Sequence, residues 1–106
     1  MEATEPIPTG LKVRVASDPD QVVLFLSGEI DAGNARDLVK PLMDVPDDCD
    51  VTIDLTDVEF MDSSGLTALL SCQARLLERH VALTVRNPCQ RVRRLFDVCG
   101  VADALL

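Results

Sequence analysis

The residues with the clearest potential for chemistry are the stretch Asp-Ser-Ser-Gly at positions 62–65. Apolar and polar residues alternate before it at positions 51–55, and apolar residues follow it at helical spacing from position 66. This change of period predicts a strand, a short loop and the start of a helix. Free N–H groups and the positive end of the helix dipole stabilise a phosphate at such a position. The stretch therefore suits a phosphorylated serine, Ser63, next to the carboxylate of Asp62.

The same residues also allow a purely structural interpretation. A short polar side chain at a helix start accepts hydrogen bonds from free N–H groups and stabilises the helix by about 1 kcal/mol. Ser63 would then be a helix cap and nothing more. Gly65 has no side chain, so we expect another group to approach its backbone closely. These residues alone leave the cap and the phosphorylation site as alternatives.

Ser63 lacks the companions of a catalytic serine. The single histidine, His80, is predicted at the far end of the same helix. At about 1.5 Å per residue this places it on the order of 20 Å from Ser63, too far to act as its base. There is no Gly-x-Ser-x-Gly and no phosphate-binding glycine loop. Asp62 could face Asp31 across the sheet edge, but loop carboxylates are common. The sequence therefore favours a serine that another enzyme modifies, and it predicts no enzymatic activity for this chain.

Length, composition and charge indicate one globular domain. The 106 residues suit a single core, and 47% apolar with 26% charged residues is an ordinary globular composition. A net charge of −8 argues against binding nucleic acid or an anionic membrane, and it permits a basic protein partner. No apolar run approaches the ~20 residues that span a bilayer, and the acidic first residues do not resemble a signal peptide. We therefore expect a cytoplasmic protein with no membrane span.

The cysteines and the single histidine predict no metal site. Cys49, Cys72, Cys89 and Cys99 show no C-x-x-C spacing, and one histidine is too few for a His-containing cluster. Cys72 and Cys99 lie on or near predicted helical apolar stripes, so we expect both to be small core residues. Free thiols fit a reducing compartment.

Hydrophobic periodicity predicts the elements that hold the serine in place. Residues 1–10 are predicted to be a flexible N-terminal tail, and residues 11–106 one domain. The domain follows the order strand, strand, helix, strand, helix, strand, helix. A short turn joins the first two strands into an antiparallel hairpin, and each later strand–helix–strand connection gives parallel strands. The predicted fold class is thus α/β with a mixed, mostly parallel central sheet.

Several local predictions accompany this order. The apolar run 21–27 suggests a strand that is covered on both faces. Asp31 and Asn34 are both good caps for the first helix. The last helix is predicted to have Asn87 as its cap and Pro88 in its first position. Its outer face carries three arginines, which are more often a solvated surface than a docking patch: Arg91, Arg93 and Arg94.

Three stretches together resemble STAS domains. They are Leu-Ser-Gly-Glu-Ile-Asp at 26–31, Val-Thr-Ile-Asp-Leu at 51–55 and Phe-Met-Asp-Ser-Ser-Gly-Leu at 60–66. Within that family the chain is most similar to the bacterial anti-sigma factor antagonists, over residues 11–106. The resemblance implies that the unphosphorylated form binds an anti-sigma factor that is also an ATP-dependent serine kinase. This binding releases the sigma factor. The kinase phosphorylates the serine after the motif aspartate, here Ser63, and a metal-dependent serine phosphatase reverses this.

The resemblance also implies roles for the residues around Ser63. Asp62 would orient the loop or help the kinase recognise it, and Ser64 and Gly65 would shape the helix start. Three polar residues that leave a strand on the same sheet edge belong either to the docking surface or to helix caps: Glu29, Asp31 and Asn34. ATP belongs to the kinase, so no cofactor is implied for this chain.

Other functions stay open from the sequence. STAS domains also act as scaffolds in stress-signalling complexes and as accessory subunits of lipid transporters. A small hydrolase that uses Ser63 would be labelled by a serine-directed phosphonate, and we expect no labelling. Direct binding of ATP or GTP by the domain cannot be judged from a sequence that has no glycine loop.

Overall fold

The computed structural model describes residues 10–17 and 19–106. The predicted tail, apart from Gly10, lies outside the described residues. The order of strands and helices agrees with the prediction. The elements are β1 (Leu11–Ser17), β2 (Gln21–Ile30), a 3-10 turn (Ala35–Leu38), α1 (Val39–Met43), β3 (Asp50–Met61), α2 (Ser63–Glu78), β4 (Leu83–Arg86), α3 (Gln90–Val98) and α4 (Ala102–Leu105).

The described strands form a mixed sheet in the order β1-β2-β3-β4. β1 pairs antiparallel with β2, from Leu11 opposite Gly28 to Ser17 opposite Val22. β2 pairs parallel with β3, and β3 pairs parallel with β4. These parallel pairs follow from the helical connections between their strands. The predicted α/β fold with a mixed, mostly parallel sheet is confirmed.

The helices pack on one face of the sheet. Along β2, buried residues alternate with half-buried ones, so only one face is fully covered. Buried side chains from the four helices and the strands belong to one hydrophobic cluster. The molecule is 20 Å across its shortest axis, which suits one sheet and one layer of helices. The prediction that residues 21–27 are covered on both faces is therefore wrong, because half-buried residues line the other face.

Two β-bulges extend β3 well beyond its predicted end at Leu55. The register with β2 shifts between Phe25 and Ser27 and again between Gly28 and Glu29, and each shift adds one residue to β3. The buried residues of this part are consequently spaced three apart, at positions 55, 58 and 61. A strand with this spacing does not show the period of two that identifies strands in a sequence. The bulges bring the end of β3 beside the end of β2.

The start of α3 differs from the prediction. The helix begins at Gln90, and Cys89 rather than Asn87 is its N-cap residue. Asn87 adopts a positive φ of 58° and its side-chain amide donates a hydrogen bond to Asp54 at 3.3 Å. Asn87 is thus tied back to the sheet, so it cannot cap a helix, and Pro88 precedes the helix. At the other end of α3, Cys99 is the exposed C-cap residue.

Of the two cysteines predicted in the core, one is placed there. Cys72 is buried in α2, which confirms its prediction, and burial raises the pKa of its thiol. The prediction for Cys99 is wrong, because the buried stripe of α3 ends with Phe96 and Cys99 is exposed at the C-cap position. All four thiols are free.

Arg79 fastens the end of α2 to the loop after α1. Its guanidinium donates to the carboxylate of Asp47 at 2.8 Å and to the carbonyl of Met43 at 3.1 Å. It also donates to the carbonyl of Val45, a residue whose side chain is buried. One arginine therefore satisfies two backbone carbonyls and pairs with one carboxylate of the acidic loop.

Candidate phosphorylation site

Ser63 is the first residue of α2, and Asp62 is its N-cap. The Asp62 side chain accepts hydrogen bonds from the backbone N–H of Ser64 at 2.9 Å and of Gly65 at 3.2 Å. This is the bonding expected of a capping carboxylate. The cap interpretation of Ser63 is therefore wrong, because the residue before it performs that role. Capping gives Asp62 a direct way to orient the loop.

Ser63 lies at the surface, at the start of α2. Ser63 is exposed, whereas its neighbours Asp62 and Ser64 are half-buried. It lies at the N-terminal end of a helix of 16 residues, where the dipole favours negative charge. The N–H groups of Ser64 and Gly65 already bind Asp62, and that of Leu66 binds the Asp62 carbonyl at 3.2 Å. These N–H groups are therefore not available to bind a phosphate on Ser63. Such a phosphate would point outward, and the positive end of the helix dipole would stabilise its charge.

Gly65 joins this helix start to the sheet. It is buried, and a Cβ at this position would lie 2.6 Å from Cγ2 of Ile30 and 2.8 Å from Cγ of Met61. Only a glycine fits without movement of these side chains. The close approach predicted at Gly65 is thus made by the protein's own core. Sequence reasoning missed Ile30 and Met61, although an apolar residue at the end of each parallel strand was a usable signal.

The loops after β2 and β3 lie side by side. Ile30 pairs with Met61 in the sheet, and the N–H of Asp62 donates to the carbonyl of Ile30 at 3.1 Å. This contact brings Glu29, which is exposed, and Asp31, which is half-buried, to the same edge as Ser63. We refer to Glu29, Asp31 and Asp62 as the acidic rim. Within the described part of the chain, none of the three forms an ion pair.

Asn34 holds the loop that carries two members of the acidic rim. It is fully buried; its side-chain oxygen accepts from the N–H of Asp31 at 2.9 Å, and its amide donates to the carbonyl of Glu29 at 2.8 Å. Its side chain makes no capping bond to the 3-10 turn. Asp31 accepts a hydrogen bond from the N–H of Gly33 at 2.9 Å and so closes a turn of its own. Asn34 occupies the N-cap position of the 3-10 turn, as predicted, but its side chain makes its bonds within the loop and not to the turn. The prediction of Asp31 as a cap is wrong, because its carboxylate bonds to Gly33.

The carboxylate with a strongly shifted pKa lies outside this site. Asp54 is buried in β3, and burial raises its pKa, but hydrogen bonds from Thr56, Arg86 and Asn87 outweigh this effect and lower it to about 2. The Arg86 contact is an ion pair of 2.8 Å. The guanidiniums of Arg86 and Arg14 also lie 5.9 Å and 4.2 Å from the centre of the Phe25 ring. Asp54 thus stabilises the exposed face of the sheet.

The histidine of this chain lies at the opposite end of α2 from Ser63. His80 is exposed and follows the C-terminal end of α2, as predicted. Among the residues that the structure covers, no three or more His, Cys, Asp or Glu side chains are arranged to hold a metal ion. Nor is any described helix both long and apolar enough to cross a bilayer.

Comparison with known proteins identifies the family. The family model "Mlab, STAS domain" matches residues 13–106. An anti-sigma-B factor antagonist of Listeria monocytogenes is 33% identical over 90 residues, which are 83% of this chain and 79% of that protein. The structure of an anti-sigma factor antagonist from Mycobacterium paratuberculosis is 27% identical, with a TM-score of 0.74, over 93% of this chain and 86% of that one. The unphosphorylated anti-sigma factor antagonist SpoIIAA has the same fold, with a TM-score of 0.74 at 20% identity over 90% of this chain and 86% of that one. The chain therefore belongs to the STAS domain family.

Proposed function

We propose that this chain is an anti-sigma factor antagonist that is switched by phosphorylation of Ser63. Unphosphorylated, it binds an anti-sigma factor serine kinase in the cytoplasm and thereby releases a sigma factor. Phosphorylation of Ser63 ends this binding, and a serine phosphatase restores it. The observation that carries the proposal is the exposed Ser63 at the start of α2, in a chain related to an anti-sigma-B factor antagonist.

The bonding around Ser63 supports a switch that acts at the surface. Since Asp62 caps α2, phosphorylation of Ser63 removes no bond that holds the helix start. The phosphate adds about −1.5 to −2 charges at pH 7. It adds them beside the acidic rim, where no described ion pair offsets the charge of Glu29, Asp31 or Asp62. The fold stays intact while the surface that the partner meets changes in charge and in shape.

The required free energy is within reach of a single phosphate. Moving a partner from 99% bound to 99% free takes a difference in affinity of roughly 10⁴-fold, or about 5.5 kcal/mol. Burying a charged group without a counter-charge costs several kcal/mol. A phosphate on the outward-facing Ser63 would have to be buried or excluded by any partner that packs on the start of α2. Loss of binding follows from steric overlap and desolvation together.

In this proposal the chain is a substrate and a binding protein rather than an enzyme. ATP binds the kinase, and the phosphatase supplies the chemistry of reversal. The acidic rim and the rigid loop held by Asn34 form the surface that the kinase recognises. Gly65 keeps α2 close to the sheet, which fixes Ser63 beside that loop.

The decisive test is a capture experiment from the native lysate. The baits are the wild type, Ser63→Ala, Ser63→Glu and the matched control Ser71→Glu, which places the same charge on another exposed serine of α2. We expect Ser63→Ala and Ser71→Glu to capture a protein with an ATP-binding kinase domain, and Ser63→Glu to lose it. The purified partner with ATP should then phosphorylate the wild type and leave Ser63→Ala unmodified.

A different set of results would contradict the proposal. If all four baits capture the same proteins, the partner does not sense Ser63. The chain would then act as a constitutive scaffold or as an accessory subunit of a larger complex. Phosphate transfer to Ser63→Ala would show that another residue is the acceptor.

A further inference from the structure

The two edge strands of the sheet differ in how their outer backbone groups are used. β4 has 4 residues, and the carbonyl of Leu83 accepts a hydrogen bond from the side-chain amide of Gln73 at 3.0 Å. β1 has 7 residues and, among the described strands, pairs only with β2. Residues 14–17 of β1 are all exposed, so the described helices do not cover this part of the edge. β1 is therefore the open edge of the sheet.

The outer side of β1 presents the backbone groups of its odd-numbered residues. The register between β1 and β2 is continuous, and the N–H of Glu29 donates to the carbonyl of Gly10 at 3.3 Å. Hydrogen-bonded pairs recur at every second residue of an antiparallel ladder. The even-numbered residues of β1 therefore bond to β2, and the N–H and C=O groups of Val13, Val15 and Ser17 point away from the sheet.

The side chains of β1 leave room for another strand beside it. Val15 is 54% exposed, although it lies on the helix-covered face, opposite the buried Leu24. The guanidinium of Arg14 leans back over β2, where it lies 4.2 Å from the centre of the Phe25 ring. The edge thus combines outward-pointing backbone groups with an exposed apolar side chain. An open edge with these properties is a template for pairing with another strand.

We propose that β1 pairs with β1 of a second copy of this chain, so that the two sheets continue as one across a two-fold axis perpendicular to them. An antiparallel edge is self-complementary about such an axis, because each strand offers the N–H and C=O groups that the other needs. In the register centred on Val15, each Val15 faces its copy and exchanges both backbone hydrogen bonds with it. Val13 does the same with Ser17. The two helical layers lie on one side of the joined sheet, and the paired valines lie between them.

The charges of β1 select this register over its neighbours. A register centred on Arg14 sets two guanidiniums opposite each other, and one centred on Val13 sets Lys12 opposite Arg14. Like charges directly opposite each other destabilise a pair of strands. In the register centred on Val15, Arg14 faces Ala16 of the second copy, and this small side chain leaves space for it.

Sedimentation equilibrium on the purified chain tests both the dimer and its register. We expect the wild type to form a dimer whose fraction rises with concentration. Val15→Pro removes an outward N–H but no bond to β2, so it should lose the dimer. Ala16→Glu places a carboxylate opposite Arg14, and Ala16→Lys places a like charge there. Because this pair occurs twice, we expect the two variants to change the dissociation constant roughly 2- to 30-fold in opposite directions, with tighter association for Ala16→Glu.

Thr84→Lys is the matched control. Thr84 lies on β4, on the same face of the sheet and in the same row across it as Ala16, through Val23 and Thr52. The substitution adds the same charge at the opposite edge, so this variant should dimerise like the wild type.

Each alternative result overturns the proposal. A wild type that stays monomeric at every concentration excludes the dimer, and a Val15→Pro variant that still dimerises places the interface elsewhere. Equal effects of Ala16→Lys and Ala16→Glu, or of Ala16→Lys and Thr84→Lys, exclude the register. Circular dichroism verifies the fold of each variant, and the Ala16 variants decide alone if Val15→Pro does not fold. The outcome is independent of the Ser63 experiments, because it measures self-association through a different strand.

Discussion

The two ends of α2 differ in how their polar groups are used. At the N-terminal end, the Asp62 side chain binds two backbone N–H groups and the Ser63 side chain is left exposed. Just past the C-terminal end, the Arg79 guanidinium binds the Asp47 carboxylate and the carbonyls of Met43 and Val45. One end leaves a serine side chain at the surface, and the other joins two segments of the fold.

This difference shows how one helix can combine a variable surface with a stable fold. A group whose modification switches binding must not also hold the helix, because the modification would then cost stability. In the proposed switch Ser63 meets this condition, because Asp62 caps α2 in its place. This requirement does not apply to Arg79, and its side chain forms one ion pair and bonds to two backbone carbonyls. We therefore expect changes at Arg79 to alter stability and changes at Ser63 to alter binding.

The largest effect on stability is expected for Arg79→Met, which keeps most of the apolar stem and removes the guanidinium. Hydrogen bonds to charged groups contribute about 1.5–3 kcal/mol each in favourable cases, but the side chain is 31% exposed, so water replaces part of the loss. We expect the free energy of unfolding to fall by about 2–3 kcal/mol in urea denaturation. Arg75→Met, in the last turn of the same helix, is the control and should change it by less than ~0.5 kcal/mol. Equal effects of the two substitutions would show that the Arg79 contacts do not stabilise the fold.

Asp54 lies in β3, away from both ends of α2, and we expect its contribution to stability to depend on pH. The pKa of Asp54 is lowered from 3.8 to about 2 by its hydrogen bonds in the folded state, so it binds a proton more readily when unfolded. Its stabilisation is complete above about pH 4 and is lost as the pH falls toward 2. We expect the stability difference between the wild type and Asp54→Asn to shrink by about 2 kcal/mol over this range.

Chemical denaturation at a series of pH values measures this change. Asp44→Asn is the control, because Asp44 pairs with Lys40 at an exposed position where ion pairs contribute little. Its stability difference from the wild type should stay nearly constant over the same range. A difference for Asp54→Asn that does not depend on pH would show that its ionisation is the same in the folded and unfolded states.

The parts of this structure that depend on local periodicity were predictable from the sequence. Alternating residues in β1 and the helical spacing that follows Ser63 identified the element types and hence the mixed sheet. The stretch at 62–65 was found because a change of period and the short polar residues coincide there.

Features that depend on neighbouring strands were not predictable in the same way. The two bulges of β3 arise from its pairing with β2. Because they break the alternation of buried and exposed residues, the sequence pattern does not reveal that the strand continues beyond Leu55. Asn34 is a residue type that often caps helices. Its hydrogen bonds to the backbone of Glu29 and Asp31 depend on the folded shape of the loop, which the sequence does not give. The sequence also could not decide which short polar residue caps α2. The close contact of Gly65 with Ile30 likewise joins residues from two different parts of the chain.

The smallest expected effect tests the cap itself, through Asp62→Ala and Ser63→Ala. Loss of a capping carboxylate costs about 1 kcal/mol of stability. Ser63→Ala removes a side chain that makes no capping bond, so the free energy of unfolding should change by less than ~0.5 kcal/mol. Thermal denaturation at neutral pH measures both. If Ser63→Ala destabilised the protein as much as Asp62→Ala, the hydroxyl would contribute to the helix start, and phosphorylation would weaken α2 as well as change the surface. Nearly unchanged stability in Ser63→Ala, combined with its retained partner, would mean that the chain keeps its switch and its cap on adjacent residues.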